Sequence, residues 1–330
     1  MVTIPVMHTV RSAFGLFFFV PMPNKPAYTL NEQIALLKSR GMLFKNETDA
    51  VNYLKNISYY RLKGYWWDLQ KDEINHQFEQ NVYFEDVIER YNFDKELRII
   101  LFNAIELIEI SLRTKMIYHL SLAYGGLWYK NENLFEKVQI KLKDGTETTV
   151  YENTISELQK EFNRSKEIFV NDHKKRYPNQ DPDAWKLLEV ASLGILSKLF
   201  KSLKHQLPEK STISKEMGLN LHSELSSWLE AITYVRNIIA HHSRLWSKSM
   251  VIKPIFNIKN PIGAWFQKPI TPVQIKKPFI IISCLVYQCK IIDKNNQIRK
   301  DILDLFKSYP SISIYKLGFL NSWDEEPIWK

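Results

Sequence analysis

Glu224-Leu225-Ser226-Ser227-Trp228-Leu229-Glu230-Ala231-Ile232-Thr233-Tyr234-Val235-Arg236-Asn237-Ile238-Ile239-Ala240-His241-His242-Ser243-Arg244-Leu245-Trp246 reads as one amphipathic helix. Leu225, Trp228, Leu229, Ile232, Val235 and Ile239 recur at three-to-four-residue steps, the spacing that gathers apolar side chains on one face. At about 100° per residue Arg236 falls inside that face, roughly 40° from Ile232. A guanidinium keeps its proton, so among apolar neighbours it requires a carboxylate, a phosphate or a water-filled cleft. His241 follows five residues later and projects about 140° away, so a straight helix does not aim both groups at one atom. Either a cleft wraps the helix end, or a second copy of the chain supplies half of the site.

An arginine and an imidazole near one helix end suit a phosphodiester. Histidine titrates near neutrality and can give or take a proton, and arginine offers fixed donors matched to phosphate oxygens. Asn237 lies one turn before His241, where its amide can hold the imidazole or contact the phosphate. His242 is read as support or packing. Neighbouring helix positions diverge by about 100°, and no nearby carboxylate completes a metal site, so neither metal nor cofactor is expected. A Gly-rich phosphate loop, a Ser-His-Asp constellation and a paired-carboxylate nuclease signature do not stand out.

The rest of the chain frames this helix. Its 330 residues allow one large or two ordinary domains, and 45% hydrophobic with 25% charged residues describes a globular chain, not a disordered one. A net charge of +9 favours an anionic partner such as nucleic acid, although a merely basic protein has the same composition. Cys284 and Cys289 sit in the apolar run Phe279–Cys289, which is too short for a bilayer, and read as core thiols of a reducing compartment. Residues 1–24 read as an extension, disordered or non-native. Ala13–Val20 only loosely imitates a signal peptide, and Met22 offers a start, so the chain is expected in the cytoplasm, off the membrane.

The helical segments divide the chain into an N-terminal helical region over 25–90, a core over 91–250 with an insertion near 126–183, and a C-terminal region over 251–330. Thr29 with Glu32 forms a capping-box signal and Gly41 a stop, and Thr48 is a candidate cap for Asp49–Leu54. The aromatic cluster Tyr59, Tyr60, Tyr65, Trp66, Trp67 interleaves with Arg61 and Lys63, as packing of the first helices or as a stacking surface for bases. Asp94–Ala123 is the longest helical signal. On one face Glu106, Glu109 and Arg113 lie within about 60° of one another, either as a surface ion pair or with a glutamate reaching Arg236. Alternation around Asp144-Gly145 predicts a β-hairpin. Lys160–Tyr177 carries Arg164, Lys166, Lys174, Lys175 and Arg176, an RNA-facing patch or a solvated face. Asp183 opens a helix to Lys204, and Phe279–Phe306 is helical, with a break near Asn295-Asn296. The expected class is all-α, with a small hairpin inserted in a bundle of helices near 94–123, 184–204, 224–246 and 279–306.

Arg236-Asn237-x-x-x-His241 resembles the motif of HEPN-superfamily ribonucleases. Further blocks resemble the abortive-infection (Abi D/F type) proteins: Lys25-Pro26 through Glu32-Gln33-Ile34 to Leu37, Ile57–Trp66, Tyr91–Arg98, Ile108–Arg113, Ser192–Ser197 and Ala240–Trp246. They occur in the family's order over roughly residues 25–250. The resemblance implies a HEPN-like bundle and a homodimer whose composite cleft holds two motifs, with Arg236, Asn237 and His241 catalytic. His242, Arg244, Glu109, Arg113 and Arg61 would support the site or bind RNA. It further implies an RNA-cleaving toxin of phage defence, acting without metal and restrained by an antitoxin such as a small non-coding RNA. The alternative is a non-catalytic RNA-binding or scaffolding protein that keeps the helical fold.

Overall fold

The computed structural model describes residues 26–72, 74–255, 261 and 265–330, together with the backbone of Arg11–Ser12 and Gly15–Leu16, which pair antiparallel. The extension expected over 1–24 otherwise lies outside the described residues. The all-α expectation holds. Helices dominate, and the strands are confined to short antiparallel pairs. The chain forms two compact units, residues 1–86 and 87–330.

In the first unit α1 (Leu30–Ser39) carries the expected capping box, with Thr29 and Glu32 satisfying each other's backbone N–H groups. Asn46, not Thr48, caps α2 (Glu47–Ile57), and its own N–H and that of Lys45 donate to Glu85 at 3.0 Å. Ser58 ends α2 and caps α3 (Tyr59–Trp66) with a left-handed φ of 68°. A second hairpin, Gln70–Asp72 with Gln77–Phe78, had no clear signal in the sequence. The hairpin expected around Asp144-Gly145 is present as Gln139–Lys141 paired with Glu147–Thr149.

In the second unit the frame is α4 (Phe84–Tyr124), whose first three residues belong to the first unit. It begins ten residues before the expected Asp94. Phe93, Leu97, Leu101, Ala104, Ile108, Leu112, Met116 and Leu120 form one buried stripe along it. The segment expected as a single helix over 184–204 is broken. Short α7 (Ala184–Leu187) passes through a 3₁₀ turn, Leu188–Val190, to extended Ala191, and α8 (Leu193–Ser202) starts afresh. Ahead of α7 lie α5 (Val150–Arg164) and α6 (Ile168–Arg176). Helix α9 (Pro208–Glu216) precedes α10 (His222–Ala240), and the one-turn α11 (Pro272–Ile275) leads into α12 (Pro278–Ile292). Helix α10 packs on α8, α9 and α12. Every residue of α12 from Pro278 to Cys289 is buried, as expected of a helix that is apolar all round. Its Cys289 thiol lies 3.6 Å from the Ala104 carbonyl of α4, and both cysteines are buried and free. The break expected near Asn295-Asn296 separates α12 from α13 (Ile298–Ser308).

Candidate functional site

The helix that carries the motif stops at Ala240, six residues before the expected Trp246. His241 is its C-cap, donating its N–H to the Asn237 carbonyl at 3.0 Å. His242 adopts a left-handed φ of 55° and donates to Ile239 at 2.9 Å, while Ser243 reaches back to Ile238 at 2.9 Å. That pair of bonds is the Schellman closure, usually built with glycine in the left-handed position. Histidine there costs about 1–2 kcal/mol, so the turn must be held from outside the helix.

Asp94 holds it. Its side chain is completely buried and accepts the N–H groups of Leu245 at 3.1 Å and Trp246 at 2.7 Å. Arg98, one turn along α4, sets its Nε 3.3 Å from the other carboxylate oxygen and balances the buried charge. The Trp246 ring meets Phe93 edge to face at 5.9 Å, and the Arg90 guanidinium lies 5.6 Å from its centroid. Sequence reasoning gave Asp94 no role beyond the start of a helix. The available signal was an acid one turn before Arg98, between Phe93 and Leu97 on a buried stripe. Arg244 belongs to this anchored loop and not to the helix end.

Arg236 is half-buried and lines a cleft of about 340 Å³ with Phe102, Glu106, Glu109 and Arg113. Its Nη1 donates to Oδ1 of Asn237 at 3.2 Å, and among the described residues no carboxylate comes within ion-pair distance of it. The Asn237 amide thus meets the guanidinium beside it. Of the two readings of the α4 face, the structure carries the Glu-Arg ion pair and not a glutamate on Arg236. Glu109 pairs with Arg113 at 3.0 Å, and Arg113 donates in addition to the Ala191 carbonyl at 2.9 Å. The break between α7 and α8 makes that carbonyl available, since a continuing helix would have used it.

A second cleft, of about 540 Å³, is lined by Arg98, Ile99, Phe102, Ile239, Ala240 and His242, among others. Phe102 walls both clefts, so Arg236 opens to one side of it and His242 to the other. His241 is exposed and lines neither. Arg236 thus lies within α10 and lines a cleft, whereas His241 caps the helix end and lines neither. Arg61 belongs to the first unit, on α3, where its backbone N–H donates to the Ser58 hydroxyl at 3.4 Å.

Of the other expected features, the basic stretch Lys160–Tyr177 is largely committed to local partners. Arg164 pairs with Glu161 at 2.6 Å, Arg176 with Asp172 at 2.7 Å, and Lys174 donates to the Asn163 carbonyl at 2.8 Å. This is the solvated-face pattern. The aromatic cluster divides between the two readings: Tyr65 and Trp66 are buried, whereas Tyr60 and Trp67 are exposed. A buried lysine gave no sequence signal. Lys210 donates to the Lys201 and Leu203 carbonyls at the end of α8, and desolvation lowers its pKa to about 8. Among the described residues no group of three or more His, Cys, Asp or Glu is placed to hold a metal ion, and no helix is long and apolar enough to cross a membrane.

No curated protein and no solved structure matches the chain. The family described as Abi-like protein matches residues 52–247, more than half of it. The matched span takes in Asp94, the Arg236–His241 motif and the Leu245-Trp246 loop that Asp94 holds, and by this match the chain belongs to the Abi-like family.

Proposed function

We propose that the chain is a metal-independent endoribonuclease of the HEPN type, a toxin of abortive infection whose restraint falls to an antitoxin. One observation carries the reading: Arg236 lies half-buried in a cleft, bonded to the Asn237 amide and, among the described residues, without a carboxylate at ion-pair distance. A guanidinium so placed is suited to an oxyanion, and the phosphate of an RNA strand supplies one. Membership of the Abi-like family supports the biological setting.

In this reading an imidazole of His241 removes the proton from a 2′-hydroxyl, and O2′ attacks the adjacent phosphorus. The P–O5′ bond breaks, a second proton donor protonates the departing 5′-oxygen, and a 2′,3′-cyclic phosphate remains. Arg236 offsets the charge that develops on the phosphorane oxygens. The site is composite. Arg236 lines a cleft that His241 does not line, and exposed Ile99, Phe102 and Ile110 of α4 border the two clefts. A second copy packed there would cover apolar surface and bring one protomer's Arg236 toward its partner's His241.

Cleavage of a single-stranded RNA by purified protein is the direct test, with His241→Ala as the control. Loss of cleavage on the order of 10²-fold or more in well-folded His241→Ala protein is expected. Full activity in that variant removes His241 from the chemistry, and RNA binding without cleavage by the parent favours a scaffolding role.

A further inference from the structure

The first unit contains a groove that the cleavage chemistry does not use. A cavity of about 580 Å³ is lined by Tyr28, Gln33, Arg40, Tyr59, Tyr60 and Lys63, with Pro26, Ala27, Leu36 and His76 completing the wall. Among the described residues no carboxylate lines it. Its aromatic rings are accessible, Tyr60 being 81% and Tyr28 49% exposed. Arg40 donates to the Tyr59 hydroxyl at 2.9 Å, which fixes a cation between aromatic rings. The Gln33 side-chain oxygen is buried without a hydrogen-bond donor among the described residues, while the amide nitrogen is committed to the Tyr28 carbonyl at 3.0 Å.

The local sequence explains why these groups face outward. Leu62, Tyr65 and Trp66 fill the core side of α3, so Tyr60, Lys63 and Trp67, at steps of three and four residues, share the opposite side. Lys63 sits 5.0 Å above the Trp67 ring, and Trp67 is itself exposed. Isolated exposed aromatics are ordinary. Two of them, Tyr28 and Tyr60, with the half-buried Tyr59 and two cations around a cavity that has no acid in its wall among the described residues, favour a ligand that is both flat and anionic.

We propose that this groove binds single-stranded RNA, with bases stacked on Tyr60 and Tyr28 and phosphates held by Arg40 and Lys63. Only a single strand offers its base faces, since a duplex buries them in its own stack. The proposal shares its ligand class with the nuclease reading but not its chemistry. The groove is a second place of contact, and binding there requires neither Arg236 nor His241.

Fluorescence anisotropy of a labelled oligouridylate or oligoadenylate on the full chain, in a His241→Ala background, tests it. Tyr60→Ala is expected to weaken binding on the order of tenfold, and Tyr60→Phe, which keeps the ring face, to restore it. Lys63→Ala is expected to weaken binding and flatten its dependence on salt. Tyr60 is exposed, so an unchanged melting temperature is expected and separates loss of contact from loss of fold. Unchanged affinity in both Tyr60→Ala and Lys63→Ala overturns the proposal, as does equal affinity for a duplex of the same sequence. Adenosine monophosphate binding as tightly as the oligomer overturns the strand assignment. A chain that never cleaves RNA yet shows Tyr60-dependent binding sinks the nuclease reading alone. A His241-dependent nuclease indifferent to Tyr60 sinks the groove alone.

Discussion

The buried carboxylate of Asp94 accepts the backbone N–H of Trp246 at 2.7 Å, and so ties the N-terminal part of α4 to the loop that leaves the candidate catalytic histidine. The bond lies four residues beyond His242, whose left-handed backbone needs support from outside its own helix. In the proposed nuclease reading Asp94 is thereby a positioning residue for His241, acting through the main chain of Leu245 and Trp246.

Replacing it separates shape from charge. Asp94→Ala leaves two buried N–H groups unpaired and Arg98 without its carboxylate, and is expected to destabilise the fold by about 3–5 kcal/mol in urea denaturation. Asp94→Asn keeps an acceptor for one N–H and is expected to cost less. Where it remains folded, its cleavage rate should fall while its RNA affinity stays near that of the parent. An Asp94→Asn protein with parental kcat would show that the loop does not set the histidine.

At Arg236 the planar fork is expected to matter as well as the charge. Arg236→Ala should abolish cleavage, and Arg236→Lys should rescue it poorly because an ammonium loses the paired donors. Asn237→Ala should be milder, since Asn237 orients the guanidinium at 3.2 Å. Chelation of divalent ions should change none of these rates. Melting temperatures measured on the same preparations identify the opposing outcome, in which Arg236→Ala lowers stability and leaves RNA turnover untouched.

Phe102 and Ile99 are exposed on α4 and border the clefts of Arg236 and His242. Phe102→Glu is expected to convert a dimer to a monomer in light scattering and to abolish cleavage, with little effect on the melting temperature, because no core contact is lost. Mixing Arg236→Ala with His241→Ala protein should restore part of the activity if each protomer supplies half of the site. A parent that is monomeric at micromolar concentration and still cleaves RNA would exclude the composite arrangement.

Lys210 makes a pH prediction. Desolvation depresses its folded pKa to about 8 from an ordinary 10.5, so between those values the unfolded chain binds more protons than the native one. Stability from this residue therefore rises as pH climbs from about 8 to about 10.5, and is lost as pH falls through 8. Tyrosines and cysteines whose pKa values burial raises act in the opposite sense, so the comparison is with Lys210→Met under identical conditions. The stability of the parent relative to that variant should increase over this window by on the order of 1–3 kcal/mol. A constant difference would mean that the ammonium is not desolvated in the folded protein.

The sequence by itself determined the helices and much of their punctuation. Apolar spacing identified α4, α10 and α12, because a helix in a packed core must turn one face, or all of them, to that core. Local side-chain chemistry identified the Thr29 capping box and the Asp144-Gly145 hairpin, each of which closes within a few residues. The place of Arg236 on the largely apolar face of α10 was also legible, and the structure leaves it half-buried there.

Only tertiary structure decided what those groups meet. Periodicity carried the motif helix on to Trp246, whereas a carboxylate some 150 positions earlier in the chain holds Leu245 and Trp246 outside it, a partner no local pattern names. The break before α8 is of the same kind: Arg113 on α4 uses the Ala191 carbonyl and takes Glu109 with it, so Arg236 is left to Asn237. The aromatic cluster at Tyr59–Trp67 could not be sorted from sequence, because burial of Trp66 and exposure of Tyr60 depend on which face of α3 the first unit covers. Local chemistry fixes which backbone conformations are cheap, and long-range packing chooses which side chains remain available to a ligand.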